Sequence, residues 1–218
     1  ANFKYTGNIS VSDTSTEATI KNVNFVNGTR YAVTTNRIKS ITVENCTVKN
    51  YGAGFLYANK STPTVVVKNV TVDGGEYGMH WVYGTTATLE NVTMTNVIYG
   101  LRIQNYAGKT INLKNCDITS IEIWERDNVS GIQTFKFEGK NTVEKLSTSE
   151  YAKYVLAAAD ATLITDEVEN LAITSGVADY KVAYETVAYK LVPMDYVAQI
   201  GEKKFESLVE AFKEAASG

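Results

Sequence analysis

The chain has 218 residues, 44% of them hydrophobic and 21% charged, with a net charge of −3. That balance suits a folded protein and gives no electrostatic reason to expect nucleic acid or an anionic membrane as partner. No apolar run reaches the roughly 18 residues needed to cross a bilayer, and the two cysteines form no CxxC or other metal-ligand spacing, so neither membrane insertion, a cofactor nor a metal is implied.

The first two thirds of the chain repeats. Lys21-Asn22-Val23-Asn24-Phe25 returns as Glu44-Asn45-Cys46-Thr47-Val48, Lys68-Asn69-Val70-Thr71-Val72, Glu90-Asn91-Val92-Thr93-Met94 and Lys114-Asn115-Cys116-Asp117-Ile118, with a degenerate copy at Glu138-Gly139. The marker residues Asn22, Asn45, Asn69, Asn91, Asn115 and Gly139 are 23, 24, 22, 24 and 24 residues apart. A period of that size signals a solenoid with one turn of backbone per repeat.

Each repeat divides into short strands. One precedes the Asn (Ile41-Thr42-Val43, Ile111-Asn112-Leu113) and one follows it (Val70-Thr71-Val72). A third comes after a glycine: Gly54-Phe55-Leu56-Tyr57, Gly78-Met79-His80-Trp81 and Gly100-Leu101-Arg102-Ile103, then Ile121-Glu122-Ile123-Trp124 without one. Strands this short, with no helix between them and no LxxLxLxxN pattern, predict an all-β solenoid, a parallel β-helix of about six coils over residues 1–146.

Two columns support that stacking. The Asn column predicts a ladder of side-chain amides satisfying one another from coil to coil. The preceding column, Lys21, Glu44, Lys68, Glu90, Lys114, Glu138, alternates in sign, so a one-coil slip would oppose like charges. Cys46 and Cys116 share the position of Val23, Val70 and Val92, and three coil spacings, roughly 14 Å at about 4.8 Å each, separate them. They are expected to be buried in the core and cannot pair with each other. Asn45, Asn69 and Asn91 match the glycosylation pattern Asn-x-Thr, but the ladder accounts for them.

The N-V-T-V column, the Asn ladder and the Tyr-Gly-initiated strand resemble the right-handed parallel β-helix of the pectin-lyase-like superfamily. That resemblance covers about 140 residues and implies the fold. It leaves activity open, because the fold hosts lyases, hydrolases, adhesins and inert spacers.

Beyond Val143 the period fails. Ser147-Thr148-Ser149-Glu150 followed by Tyr151, Tyr154, Val155 and Leu156 predicts a short capped helix. Strands are expected at 161–164, 171–174, 181–184 and 188–192, the last two as a hairpin, which makes residues 147–194 a small α/β-hairpin region. Residues 195–218 read as strand, turn and amphipathic helix, with Ser207 and Glu210 as a capping box and Phe205, Leu208, Val209, Phe212 and Ala216 as the apolar stripe. This end resembles the entry element of a following β-helical module in large bacterial cell-surface proteins; alternatively the helix caps the present solenoid. With no initiating Met, the chain reads as a segment of a longer protein.

Alternation along the third strand puts Phe55, Met79, Leu101 and Ile121 inward and Leu56, His80, Arg102 and Glu122 outward, with Trp124 further out beside Gln104. His80, Arg102, Glu122 and Trp124 are the candidate ligand-binding residues. Trp81 is expected in the core. Loop 125–131 is polar, and loops on rigid scaffolds concentrate binding groups, with Trp124 at its root as a sugar-stacking platform. No catalytic residues emerge. Asp73, Glu76 and Glu122 are too few for the six to eight oxygens of a lyase's Ca²⁺ site, and no carboxylate pair spans a sugar-sized cleft. The leading expectation is a non-catalytic stalk or adhesive module, extracellular and secreted or attached to a bacterial cell wall, with a polysaccharide or a cell-surface protein as partner. The alternatives are a glycan-binding module and a pectate-lyase-like enzyme.

Overall fold

A computed structural model describes residues 3–59, 62–125, 131–166 and 171–217. The chain winds as a parallel β-solenoid of about seven turns. Three inward columns run along its axis in strict register. The first is Ile41, Val65, Ala87, Ile111, Phe135, Tyr154 and Ile173. The second is Val48, Val72, Met94, Ile118 and Val143, and the third is Val33, Leu56, Met79, Leu101 and Ile121. Because side chains alternate along a strand, each triplet of residues sends its apolar members into one shared core.

The turn between the first and second strands explains the repeated Asn. Asn22, Asn45, Asn69, Asn91 and Asn115 all hold φ between 51° and 59°, a left-handed conformation that asparagine tolerates better than most side chains. Asn69 Nδ2 donates to Asn45 Oδ1 at 3.0 Å, and Asn91 Nδ2 donates to Asn69 Oδ1 at 3.0 Å. Where the ladder reaches Gly139 (φ 59°), Asn115 Oδ1 accepts from the Lys140 backbone N–H at 3.1 Å instead. The charge column forms its pairs at Lys21–Glu44 (2.6 Å) and Lys68–Glu90 (3.0 Å).

A second left-handed column went unread in the sequence. Asn27, Asn50, Gly74 and Asn96 have φ of 55°, 54°, 87° and 54° at the next turn. Asn50 Nδ2 donates to Asn27 Oδ1 at 3.3 Å, and Asn96 Nδ2 to Asp73 Oδ1 at 2.7 Å. Its signal was present as a spacing of 23, 24 and 22 residues.

The solenoid outlasts its sequence period. The helix expected after Ser147 is instead a strand, Ala152–Leu156, paired in parallel with Gln133–Glu138, and Ile173–Ser175 stacks on it in turn. Ser149 Oγ accepts the Tyr151 N–H at 3.1 Å, so the local cap motif makes a turn. Tyr154 and Leu156 then continue the buried columns, and tertiary burial overrides the local helix signal.

The hairpin Tyr180–Glu185 with Ala188–Pro193 forms as expected, and its second strand pairs antiparallel with Thr162–Ile164. A short hairpin, Ala198–Ile200 with Lys203–Phe205, leads to the helix Leu208–Ser217, where Ser207 Oγ accepts the Val209 N–H at 3.2 Å. The expected apolar stripe does not pack. The helix buries Ala211, which lies outside that stripe, whereas Leu208, Val209 and Phe212 are exposed. Both cysteines are buried and free.

Candidate functional site on the third strand face

Strand register places Tyr57, His80, Arg102 and Glu122 in one outward column on successive coils. Three of these match the sequence reading. Leu56, expected in that column, is fully buried and pairs with Met79 instead. The strand enters through Gly54 at φ 128°, where a Cβ would meet the Tyr77 carbonyl oxygen at 1.8 Å; Gly54 is in register with Tyr77 and not with Gly78, so aligning the glycines misplaces this strand by one residue. Trp81 is fully buried, as expected, and Trp124 is 39% exposed. Gln104 is the register partner of Trp124 but is buried. Of loop 125–131, only Glu125 and Gly131 fall within the described residues.

The sequence reading missed the tyrosines around this column. Tyr31 stacks on Tyr57 (5.2 Å, 20°) and Tyr77 on Tyr99 (5.2 Å, 17°), forming an aromatic ladder along the axis. The repeated Tyr-Gly at Tyr77-Gly78 and Tyr99-Gly100 was its trace in the sequence. His80 lies against Tyr77 at 4.9 Å and Tyr57 at 5.1 Å. Its Nδ1 is 3.3 Å from the Tyr31 hydroxyl, and its Nε2 is buried with no hydrogen-bond partner. Burial first, and then the Arg102 charge, pushes the His80 pKa down to about 4, with Glu76 opposing. The imidazole is therefore neutral at pH 7 and a weak base.

Arg102 is heavily engaged. Its Nη1 donates to the Tyr77 hydroxyl at 2.9 Å, and its Nε lies 3.1 Å from Glu122 Oε2 as an ion pair without aligned hydrogen-bond geometry. The guanidinium also sits 4.7 Å from the Tyr99 ring centre and 5.1 Å from that of Trp124. Asp73, one of the acids weighed for a lyase site, is bound by Lys49 and Asn96. Among the described residues no three His, Cys, Asp or Glu side chains converge as a metal site. The face thus joins one neutral imidazole, one paired cation and one paired carboxylate, with aromatic rings that largely face one another.

Residues 2–143 match the family model of NosD, described as a periplasmic copper-binding protein. The chain belongs to the NosD family. The match spans the repeating part of the solenoid, nearly two thirds of the chain, and agrees with the pectin-lyase-like resemblance. No curated protein and no solved structure matches the chain. No helix of the described residues is long and apolar enough to cross a membrane.

Copper asks for converging His, Cys or Met donors, and this NosD-family chain does not bring them together. Its single histidine is ringed by tyrosines. Cys46 Sγ contacts the Glu44 carbonyl at 3.3 Å and Cys116 Sγ the Leu89 and Lys114 carbonyls at 3.4 Å. Burial pushes the Cys116 thiol up to about 11 and raises that of Cys46. In register, Val70 and Val92 follow Cys46 along its column. Met79 and Met94 are buried in the core. The described residues therefore do not fit a copper site.

Proposed function

We propose that the chain is a non-catalytic module of an extracytoplasmic bacterial protein, acting as a rigid spacer with an adhesive surface. The observation that carries this reading is the mutual commitment of Arg102 and Glu122, beside a histidine held neutral. A proton abstractor must be free to approach substrate, and a glycosidase needs a second carboxylate facing the first across a cleft. The stacked coils, the two turn ladders and the register pairs suit a stiff element instead. The family's description as periplasmic supports a place outside the cytoplasm, in the periplasm or beyond it. Residues 195–218, with an apolar helix face in water, serve in this reading as the junction to a further module.

The test incubates the purified chain with plant, mucin and microbial polysaccharides and follows new reducing ends and unsaturated products. No turnover is expected, and reproducible turnover abolished in Arg102→Ala or Glu122→Ala would overturn the proposal. A second reading, glycan binding at this face, is favoured by the exposed Trp124 ring. It expects saturable binding on a glycan panel that is lost in Trp124→Ala.

A further inference from the structure

The turns that follow the third strand stack into a groove of about 530 Å³ whose lining does not include the His80 column. Thr14, Arg37, Lys39, Pro63, Tyr83, Gly84, Thr85 and Tyr106 line it, with Ile38 and Ala107. Backbone hydrogen bonds tie these turns in order: Lys39 N–H to the Thr16 carbonyl, and Thr85 N–H to the Pro63 carbonyl. From Thr14 to Ala107 the groove crosses five successive coils, four steps of about 4.8 Å, or roughly 19 Å along the axis.

Its chemistry is specific. The rings of Tyr83 and Tyr106 meet edge to face at 4.4 Å, and Tyr106 is 45% exposed. Gly84, at φ 146°, packs against the buried Trp81, where a Cβ would meet Nε1 at 2.5 Å, so the turn that carries Tyr83 lies close on the core. The lining includes two cations and no carboxylate. Lys39 is paired with Glu17 at 2.5 Å, whereas Arg37 has no such pairing among the described residues.

We infer that this groove binds an extended, proline-rich peptide segment of a protein partner, with acidic residues beside the prolines. A polyproline II strand carries its own backbone groups solvated, so it can lie in an open apolar groove without asking the walls for hydrogen bonds. Aromatic-lined shallow grooves are the common receptors of polyproline II ligands. At about 3.1 Å per residue, roughly six residues of such a strand fill the groove. Arg37 supplies the attraction for the acidic flank. This inference goes beyond the spacer reading and stands or falls independently of polysaccharide turnover.

The experiment titrates the 218-residue chain with three probes: an acetylated hexaproline peptide ending in two glutamates, a Gly-Ser peptide with the same two glutamates, and a cellohexaose–chitohexaose pair. Binding is read by calorimetry and by amide shifts at Gly84, Thr85 and Ala107. The proline peptide alone should bind saturably, shift those amides, and weaken about tenfold in Tyr106→Ala, with a smaller loss in Arg37→Gln. Tyr106 is exposed, so Tyr106→Ala should melt as the parent does; should it not fold, the amide shifts of the parent chain decide. No proline-peptide binding, equal binding of the Gly-Ser peptide, shifts confined to other turns, or oligosaccharide binding that Tyr106→Ala abolishes would each overturn the inference.

Discussion

Arg102 and Glu122 are register partners on adjacent coils, and their side chains meet at 3.1 Å while Trp124, two residues beyond Glu122, covers the guanidinium. The pair is partly exposed, so its electrostatic worth is small, about 0.2–1 kcal/mol. Glu122→Gln is expected to lower stability by no more than that in urea unfolding. Arg102→Ala, which also loses the Tyr77 hydrogen bond and three aromatic contacts, should cost about 1–2 kcal/mol more. Equal losses for the two variants would mean that the stacking contributes nothing.

A half-buried histidine and a buried lysine should make stability depend on pH in two windows. For His80 the folded pKa, about 4, lies below its unfolded value. The unfolded chain therefore binds more protons between about pH 6.5 and 4, and stability falls as the pH drops through that range. Lys109, held by the Gln104 carbonyl at 2.8 Å, is pushed down to about 8 by burial. Its unfolded form keeps the proton to about pH 10.4, so stability should rise with pH from 8 towards 10. Melting His80→Gln and Lys109→Met beside the parent at each pH isolates the two contributions. A difference that stays constant across its window removes that assignment.

Asn69 both adopts a left-handed backbone and links two neighbouring amides. Asn69→Ala should cost about 2–3 kcal/mol, combining backbone strain with two lost hydrogen bonds. Asn69→Gly relieves the strain and should cost about 1 kcal/mol, as the chain's own Gly139 suggests. The order of the two variants in chemical denaturation checks the division.

Gly54 allows the close approach of the neighbouring coil. A methyl group there would sit 1.8 Å from the Tyr77 carbonyl oxygen, at a φ that side chains rarely adopt. Gly54→Ala should destabilise by more than about 3 kcal/mol, since backbone rather than a mobile side chain must yield. Recovery of parent-like soluble, cooperatively melting protein would contradict the geometry.

Because the candidate donors do not converge, the chain incubated with Cu(I) or Cu(II) and desalted should retain no stoichiometric copper by elemental analysis. Cys46 and Cys116 should react with a thiol reagent only on unfolding, in keeping with their burial.

The sequence was most legible where one residue type had one structural job. The Asn column, its alternating charges and the alternation in Ile41-Thr42-Val43 marked the turns, the register and the inward faces, because a left-handed turn and a period-two strand restrict which residues fit. The same alternation located His80, Arg102 and Glu122, and failed at Leu56, because Gly54 stands in register with Tyr77 and not with Gly78. The second Asn column was harder to see, since Gly74 interrupts it.

By itself the sequence determined a solenoid, its coil length and the buried state of both cysteines, all consequences of a local pattern repeated at fixed spacing. Tertiary structure alone decided the rest. It turned the 147–156 segment from a helix into another coil, because Tyr154 and Leu156 gain a core that only the stacked coils provide. It also closed Trp124 over Arg102 and gathered Thr14, Arg37, Pro63, Tyr83 and Tyr106 into one groove. Those residues lie a coil or more apart in the chain, and only stacking at a strand's spacing makes them neighbours.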